Sequence, residues 1–282
     1  MPFSKNLIIE GKHDRPILTD VFYDENSTRK PIVVFCHGYK GFKDWGAWDL
    51  MGKAFSEAGF LFIKFNFSHN GGTIKQPIDF PDLEAFGNNN YTKELDDLET
   101  IIDWVYDNTI FKTEGDLSNI SLIGHSRGGG IVTIKAEEDN RIKKVISLAG
   151  VSSYGQRTST TGDLDQWKKD GVKYVLNGRT KQQMPHFYQF YEDFIANEKR
   201  LTIKRAVTNL KIPYLIIHGE GDTSVLIKEA CNLHKWNPKS QLEIIDGADH
   251  VFGAKHPWVE NYIPHQLNEA IQIMVNFISA SE

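Results

Sequence analysis

Short apolar runs recur along the chain at residues 31–36, 60–66, 119–124, 144–150, 213–218 and 241–246, each rich in Val, Ile, Leu or Phe. Runs of this length that end in small or polar residues have the pattern of strands buried on both faces. The segments between them change period. Trp48, Met51, Phe55 and Ala58 fall at helical spacing and stop at Gly59, and Leu95, Leu98, Ile102 and Val105 do the same in the next crossover. Each set places one apolar stripe on a covering helix. After Pro264, the residues Leu267, Ile271, Met274 and Ile278 form another stripe, with the proline where a first helical turn tolerates it. This alternation predicts an α/β fold with a mostly parallel central sheet flanked by helices. Two earlier extended segments, 3–10 and 16–23, predict an antiparallel edge.

One stretch breaks the alternation. Residues 151–204 intervene before the chain returns to a strand pattern at 213, and they read as an insertion. Neither an internal repeat nor a Pro/Ser-rich linker marks a second unit, so residues 1–282 are expected to form one domain carrying that insertion. Within it, Phe187, Phe190, Tyr191 and Phe194 follow helical spacing and are expected to pin the insertion to the body. Trp167 and Tyr174 sit in a more polar setting and are the candidates to face a substrate.

The chemistry concentrates after three of the apolar runs. Gly124-His125-Ser126-Arg127-Gly128 lies between the strand pattern 120–123 and the helix-compatible 129–134. A G-x-S-x-G in that setting is a nucleophile elbow, a sharp turn that exposes a serine hydroxyl at a helix amino terminus. The P-loop reading of a glycine-rich turn fails because its Lys-Ser/Thr is absent. A serine hydroxyl needs a base and a group that orients the base. Asp222 in His218-Gly219-Glu220-Gly221-Asp222 and His250 in Gly247-Ala248-Asp249-His250 each follow a strand pattern. Glu220 and Asp249 are the rival acids. Asp249 is adjacent to His250, and neighbouring side chains usually diverge, so Asp222 is preferred. His256 is the rival base, yet it lies further from its strand and precedes Pro257. His37, His125 and His218 are expected to be structural, and His69 is left open. No metal or cofactor is expected.

In the order serine, acid, histidine, the chain resembles the α/β-hydrolase superfamily over nearly its whole length. The loop His37-Gly38-Tyr39-Lys40-Gly41-Phe42-Lys43, the Gly-His-Ser-Arg-Gly-Gly elbow and the insertion after Gly150 resemble in particular the dienelactone-hydrolase-like proteins and the cinnamoyl and feruloyl esterases. The elbow serine departs from the cysteine of true dienelactone hydrolases and the aspartate of dehalogenases. The resemblance implies backbone N–H groups of Tyr39 and Arg127 as an oxyanion hole, a lid formed by 151–204, and cleavage of aryl or short-chain carboxylic esters through an acyl-enzyme. The alternatives are a serine peptidase or acyl-aminoacyl hydrolase of the prolyl-oligopeptidase type, and a receptor that keeps the pocket without the chemistry.

Charge and composition narrow the partners. A formal net charge of −5 with scattered Lys and Arg gives no attraction to nucleic acid, so the expected partner is a small-molecule ester. Residues 1–10 lack the apolar stretch of a signal peptide, and no run reaches membrane-spanning length, which reads as a cytoplasmic protein without a membrane partner. Cys36 and Cys231 offer neither a disulfide framework nor zinc-site spacing, and both are expected to be buried and reduced.

Overall fold

The computed structural model describes residues 3–25, 28–159 and 162–280; Met1 and Pro2 of the amino-terminal stretch lie outside them. Its strands are β1 (Phe3–Glu10), β2 (Pro16–Phe22), β3 (Lys30–Cys36), β4 (Leu61–Phe65), β5 (Gly115–His125), β6 (Ile142–Leu148), β7 (Val172–Leu176), β8 (Gln183–Phe187), β9 (Tyr214–Gly219) and β10 (Gln241–Ile245). Among the described residues eight of these form one sheet in the order β1-β2-β4-β3-β5-β6-β9-β10. β1 and β2 are antiparallel to each other, and β2 is antiparallel to β4; the remaining pairs are parallel. The expected antiparallel edge and parallel body are both present.

Period-two alternation divides the apolar strand residues between two cores. On one face Val33, Phe35, Phe62, Ile123, Ile146 and Ile217 pack with Trp48, Met51 and Phe55 of helix Trp48–Glu57 and with Leu267, Ile271 and Met274 of helix His265–Ser279. On the other, Val34, Cys36, Ile63, Leu122, Val145 and Ile216 pack with Leu95, Leu98 and Ile102 of helix Tyr91–Asp107 and with Ile131 and Ile134 of helix Arg127–Glu138. Full burial of such a side chain contributes about 1.5–3 kcal/mol. The carboxyl ends of β5, β9 and β10, with β6 between the first two, are thereby fixed along one edge of the sheet, from which their loops project.

Lys43 and Lys64 are buried, and their ammonium groups lie between Asp20, Asp44 and Asp49 at 2.6–2.9 Å. The three carboxylates come within 4.8 Å of one another, so these two lysines, with Lys5 at 2.8 Å from Asp49, meet a charge that would otherwise invite a cation. This cluster ties the loop after β3, which carries Tyr39, to β2 and β4.

Residues 151–204 differ from the expectation in one respect. They contain an antiparallel hairpin, β7 paired with β8 from Val172↔Phe187 to Leu176↔Gln183, between short helices. Phe187 ends β8, and the helix Gln189–Ala196 starts beyond it. Phe190 and Phe194 are buried against Tyr91, with ring centroids 4.8 and 6.3 Å away. Cys36 is buried as expected, but Cys231 is exposed on helix Ile227–Trp236. No helix among the described residues is long and apolar enough to cross a membrane.

Candidate active site

β5 delivers Ser126 into a backbone conformation that L-residues seldom adopt, φ 56° and ψ −118°. Such a residue costs on the order of 1–3 kcal/mol and persists where its surroundings fix it. Here its N–H donates to Leu148 O at 3.0 Å, and its carbonyl accepts from Gly129 N at 3.0 Å and Val151 N at 3.2 Å. The turn also needs space. A Cβ on Gly124 would stand 2.1 Å from Gly128 O, and one on Gly38 would stand 2.8 Å from Ser126 Cβ. Helix Arg127–Glu138 begins at the next residue, which puts Ser126 at its positive end.

The loop after β9 holds Asp222. Its Oδ1 accepts from the N–H groups of Ser224 at 2.8 Å and Val225 at 2.9 Å, and its Oδ2 lies 2.7 Å from His250 Nδ1. Nδ1–H is the tautomer that makes this bond, and it leaves Nε2 of His250 with a lone pair. Burial acts to raise the Asp222 carboxyl, but the bonds from His250 and the two amides prevail and hold it below its ordinary value. The rivals are engaged elsewhere. Asp249 Oδ1 accepts from Val251 N at 3.1 Å and Gly253 N at 2.9 Å within its own loop. Glu220 lies toward Gly247 N at the surface, and His256 Nδ1 accepts from Gly46 N at 3.0 Å.

Ser126 and His250 line a cavity of about 440 Å³ whose other walls include Tyr39, Arg127, Tyr91 and Val225 and, from residues 151–204, Tyr154, Trp167, Lys173, Val175, His186 and Phe190. A second cavity of about 250 Å³ shares Ser126, Tyr39 and His250. Trp167 is buried at the first cavity, its indole N–H donating to His186 O at 2.8 Å. Tyr174 is not there: it is 60% exposed. Alternate residues of a strand point to opposite sides, so Lys173 and Val175 face the cavity while Tyr174 faces solvent.

Sequence reasoning also missed His186, whose Nε2 accepts from the Tyr39 hydroxyl at 2.8 Å while Nδ1–H donates to Met184 O at 3.2 Å. The Arg127 guanidinium bonds Glu94 Oε1 at 3.1 Å and lies 4.6, 5.2 and 5.5 Å from the ring centroids of Tyr39, Tyr91 and Phe190. The glutamate and the three rings together fix the side chain of the residue after the serine. None of these long-range pairings leaves a local sequence signal.

The alpha/beta hydrolase fold family matches residues 31–201. The chain belongs to the α/β-hydrolase family. A putative esterase/lipase 2 of Mycoplasma genitalium is 23% identical over 83% of this α/β hydrolase and 87% of its own length. An uncharacterized 31.7 kDa protein in the traX-finO intergenic region of Escherichia coli is 28% identical over 54% of the chain, and the match spans only 48% of that relative. Among solved structures, Est1E from Butyrivibrio proteoclasticus with ferulic acid bound superposes with a TM-score of 0.74 at 18% identity, covering 97% of this chain and 100% of that one. At that identity the likeness is one of fold.

The histidines expected to be structural have partners in this α/β hydrolase. His37 Nδ1–H donates to Gly38 O at 2.9 Å and its Nε2 accepts from Phe67 N at 3.3 Å. His125 Nε2–H donates to His250 O at 2.9 Å, and His218 Nε2–H donates to Val225 O at 2.7 Å. His69, left open by the sequence, pairs through Nδ1 with Ser68 Oγ at 2.8 Å.

Burial lowers His37 to about 4 and His69, His125 and His186 to about 3. An unfolded histidine titrates near ~6.5, so between that pH and about 4 the unfolded chain binds protons that the native one refuses. Stability then falls with pH by about 1.4 kcal/mol per unit for each such group. Asp97, pushed up to about 7 by burial, and Glu94, also raised by burial, act in the opposite sense. With His218 and His256 lowered by burial as well, the lowered imidazoles outnumber the two raised carboxyls, and stability is expected to fall from pH 7 to pH 5. Urea unfolding at pH 7 and pH 5 measures it, and a midpoint that rises at pH 5 is the opposite of the expected result.

Proposed function

We propose that this α/β hydrolase is a serine carboxylic-ester hydrolase with Ser126 as nucleophile, His250 as base and Asp222 as the orienting acid. The observation that carries the reading is the 2.7 Å bond from His250 Nδ1–H to Asp222, made by an imidazole that shares one cavity with Ser126. With Nδ1–H committed, Nε2 takes the Ser126 proton as Oγ attacks the ester carbonyl. The tetrahedral oxyanion then accepts from the N–H groups of Tyr39 and Arg127, each worth about 3 kcal/mol in the transition state. His250 returns the proton to the departing alcohol, and water hydrolyses the acyl-enzyme by the same steps in reverse.

The acyl part is taken to be aromatic and the insertion to act as its lid. Two things support this reading: the aromatic walls Tyr39, Tyr91, Trp167 and Phe190, and the likeness in fold to Est1E, whose structure holds ferulic acid. An aromatic pair contributes about 0.5–1.5 kcal/mol beyond buried area. Trp167→Leu is therefore expected to lower the ratio of kcat/KM for methyl ferulate to that for methyl acetate by about two- to tenfold. An unchanged ratio in the folded variant removes the aryl preference. Labelling by a fluorophosphonate separates a hydrolase from a non-catalytic receptor, and a paired ester and peptide panel separates esterase from peptidase.

A further inference from the structure

Glu94 lies in the first turn of helix Tyr91–Asp107 and is 3% exposed. Its Oε1 accepts from Arg127 Nη1 at 3.1 Å and from Asn89 Nδ2 at 2.7 Å, while its Oε2, also buried, has no hydrogen-bond partner among the described residues. An ion pair at such depth can often be exchanged for apolar side chains without loss of stability. Stability alone therefore gives no reason for a glutamate here. Its position does. Arg127 directly follows Ser126, and Glu94 holds its guanidinium 4.6 Å from the centroid of the Tyr39 ring, a cation–π contact. Tyr39 follows Gly38 in a turn packed on the serine turn: a Cβ on Gly38 would stand 2.8 Å from Ser126 Cβ, and one on Gly128 would stand 2.7 Å from His37 O. The two residues whose N–H groups are assigned to the oxyanion thus lie on adjoining turns and are joined through their side chains, and the carboxylate of Glu94 anchors that join.

We propose that Glu94 is a positioning residue for the oxyanion hole: by fixing the Arg127 guanidinium against the Tyr39 ring, it sets the spacing of the two backbone N–H groups that receive the oxyanion. The proposal rests on the reading of Ser126 as nucleophile and deepens it by adding a residue that lines neither cavity. Because the oxyanion exists only in the tetrahedral species, a change in that spacing acts on turnover and leaves substrate binding nearly as it was.

The test uses Glu94→Met, Glu94→Gln and the double variant Glu94→Met/Arg127→Met, with 4-nitrophenyl acetate at pH 8 and with phenyl trifluoromethyl ketone, which adds reversibly to an active serine and places an oxyanion in the hole. Methionine removes the acceptor for Nη1, glutamine keeps one, and the double variant removes both charges and so leaves neither unpaired. Outright loss of one donor costs on the order of 10²- to 10³-fold in turnover. Displacement is expected to lower kcat about tenfold in Glu94→Met, with KM within about threefold of wild type and the inhibition constant of the ketone raised about tenfold. Glu94→Gln is expected to recover most of that loss, and the double variant to lose as much as Glu94→Met. Unchanged kcat in a folded Glu94→Met overturns the proposal whatever its melting temperature, and so does a lower kcat with an unchanged ketone constant, because the loss then lies outside the oxyanion hole. If Glu94→Met does not fold, the double variant decides, and wild-type kcat there overturns the proposal. A wild-type protein that neither cleaves the ester nor takes a fluorophosphonate label removes the Ser126 reading and this proposal with it, whereas an active wild type with unaffected variants removes the proposal alone.

Discussion

Ser126→Ala is expected to yield a folded protein whose turnover of an activated ester is reduced by on the order of 10⁴- to 10⁶-fold. The fold survives because the bonds that hold residue 126 in place, to Leu148, Gly129 and Val151, are made by its backbone. Alanine also keeps the Cβ against which the Gly38 turn packs. What is lost is the single oxygen that forms the acyl-enzyme. On the proposed mechanism the N–H groups of Tyr39 and Arg127 and the cavity remain, so residual catalysis above water is expected. Steady-state turnover of 4-nitrophenyl acetate and fluorophosphonate labelling of both proteins check the result together. A variant with a native melting temperature that retains more than a few per cent of wild-type turnover, or that still takes the label, eliminates Ser126 as nucleophile.

The second large effect separates two aspartates that lie close to one histidine. Asp222→Asn is expected to slow acylation by about 10⁴-fold, whereas Asp249→Asn stays within a few-fold of wild type. The new amide at 222 can keep its oxygen toward the Ser224 and Val225 amides, so the loop is preserved. Its NH₂ then faces His250 Nδ1, which must become an acceptor, and the ring proton moves to Nε2, where it blocks removal of the serine proton. Asparagine at 249 keeps an oxygen for Val251 and Gly253 and never meets the ring. Single-turnover acylation rates for the two variants make the comparison, and equal defects would assign the orienting role elsewhere.

The parallel sheet was legible because its strands are buried on both faces: 31–36, 119–124 and 213–218 are short, largely apolar runs bounded by turn residues, a length and setting that suit a strand rather than a helix. The meeting of Asp222 with His250 was legible for a related reason, since strand-end loops on one sheet edge converge whatever their separation in sequence. The insertion was harder to read. Val172–Leu176 is half-exposed and contains Lys and Tyr, so its short alternation was lost against the spacing of Phe187, Phe190, Tyr191 and Phe194. Those four read as one stripe although Phe187 belongs to a strand. Missing the hairpin misplaced Tyr174 and hid Lys173, because orientation reverses at each residue of a strand. His186 and Cys231 carried no local pattern at all; one depends on a partner 147 residues away, the other on which face of an amphipathic helix its position falls.

The bond between the Tyr39 hydroxyl and His186 has a bearing on how this scaffold can be recombined. Tyr39 belongs to the loop after β3 and His186 to β8, so a hydroxyl beside the Ser126 turn finds its acceptor in a segment 147 residues away. Transplanting residues 151–204 from a relative without a histidine at this point strands the phenol in an apolar wall, at a cost of about 1–3 kcal/mol. Chimeras that exchange residues 151–204 alone are therefore expected to inherit a defect beside the Ser126 turn, and those that exchange them together with residue 39 are not. The unit of exchange is the pair, although the two halves are far apart in the gene.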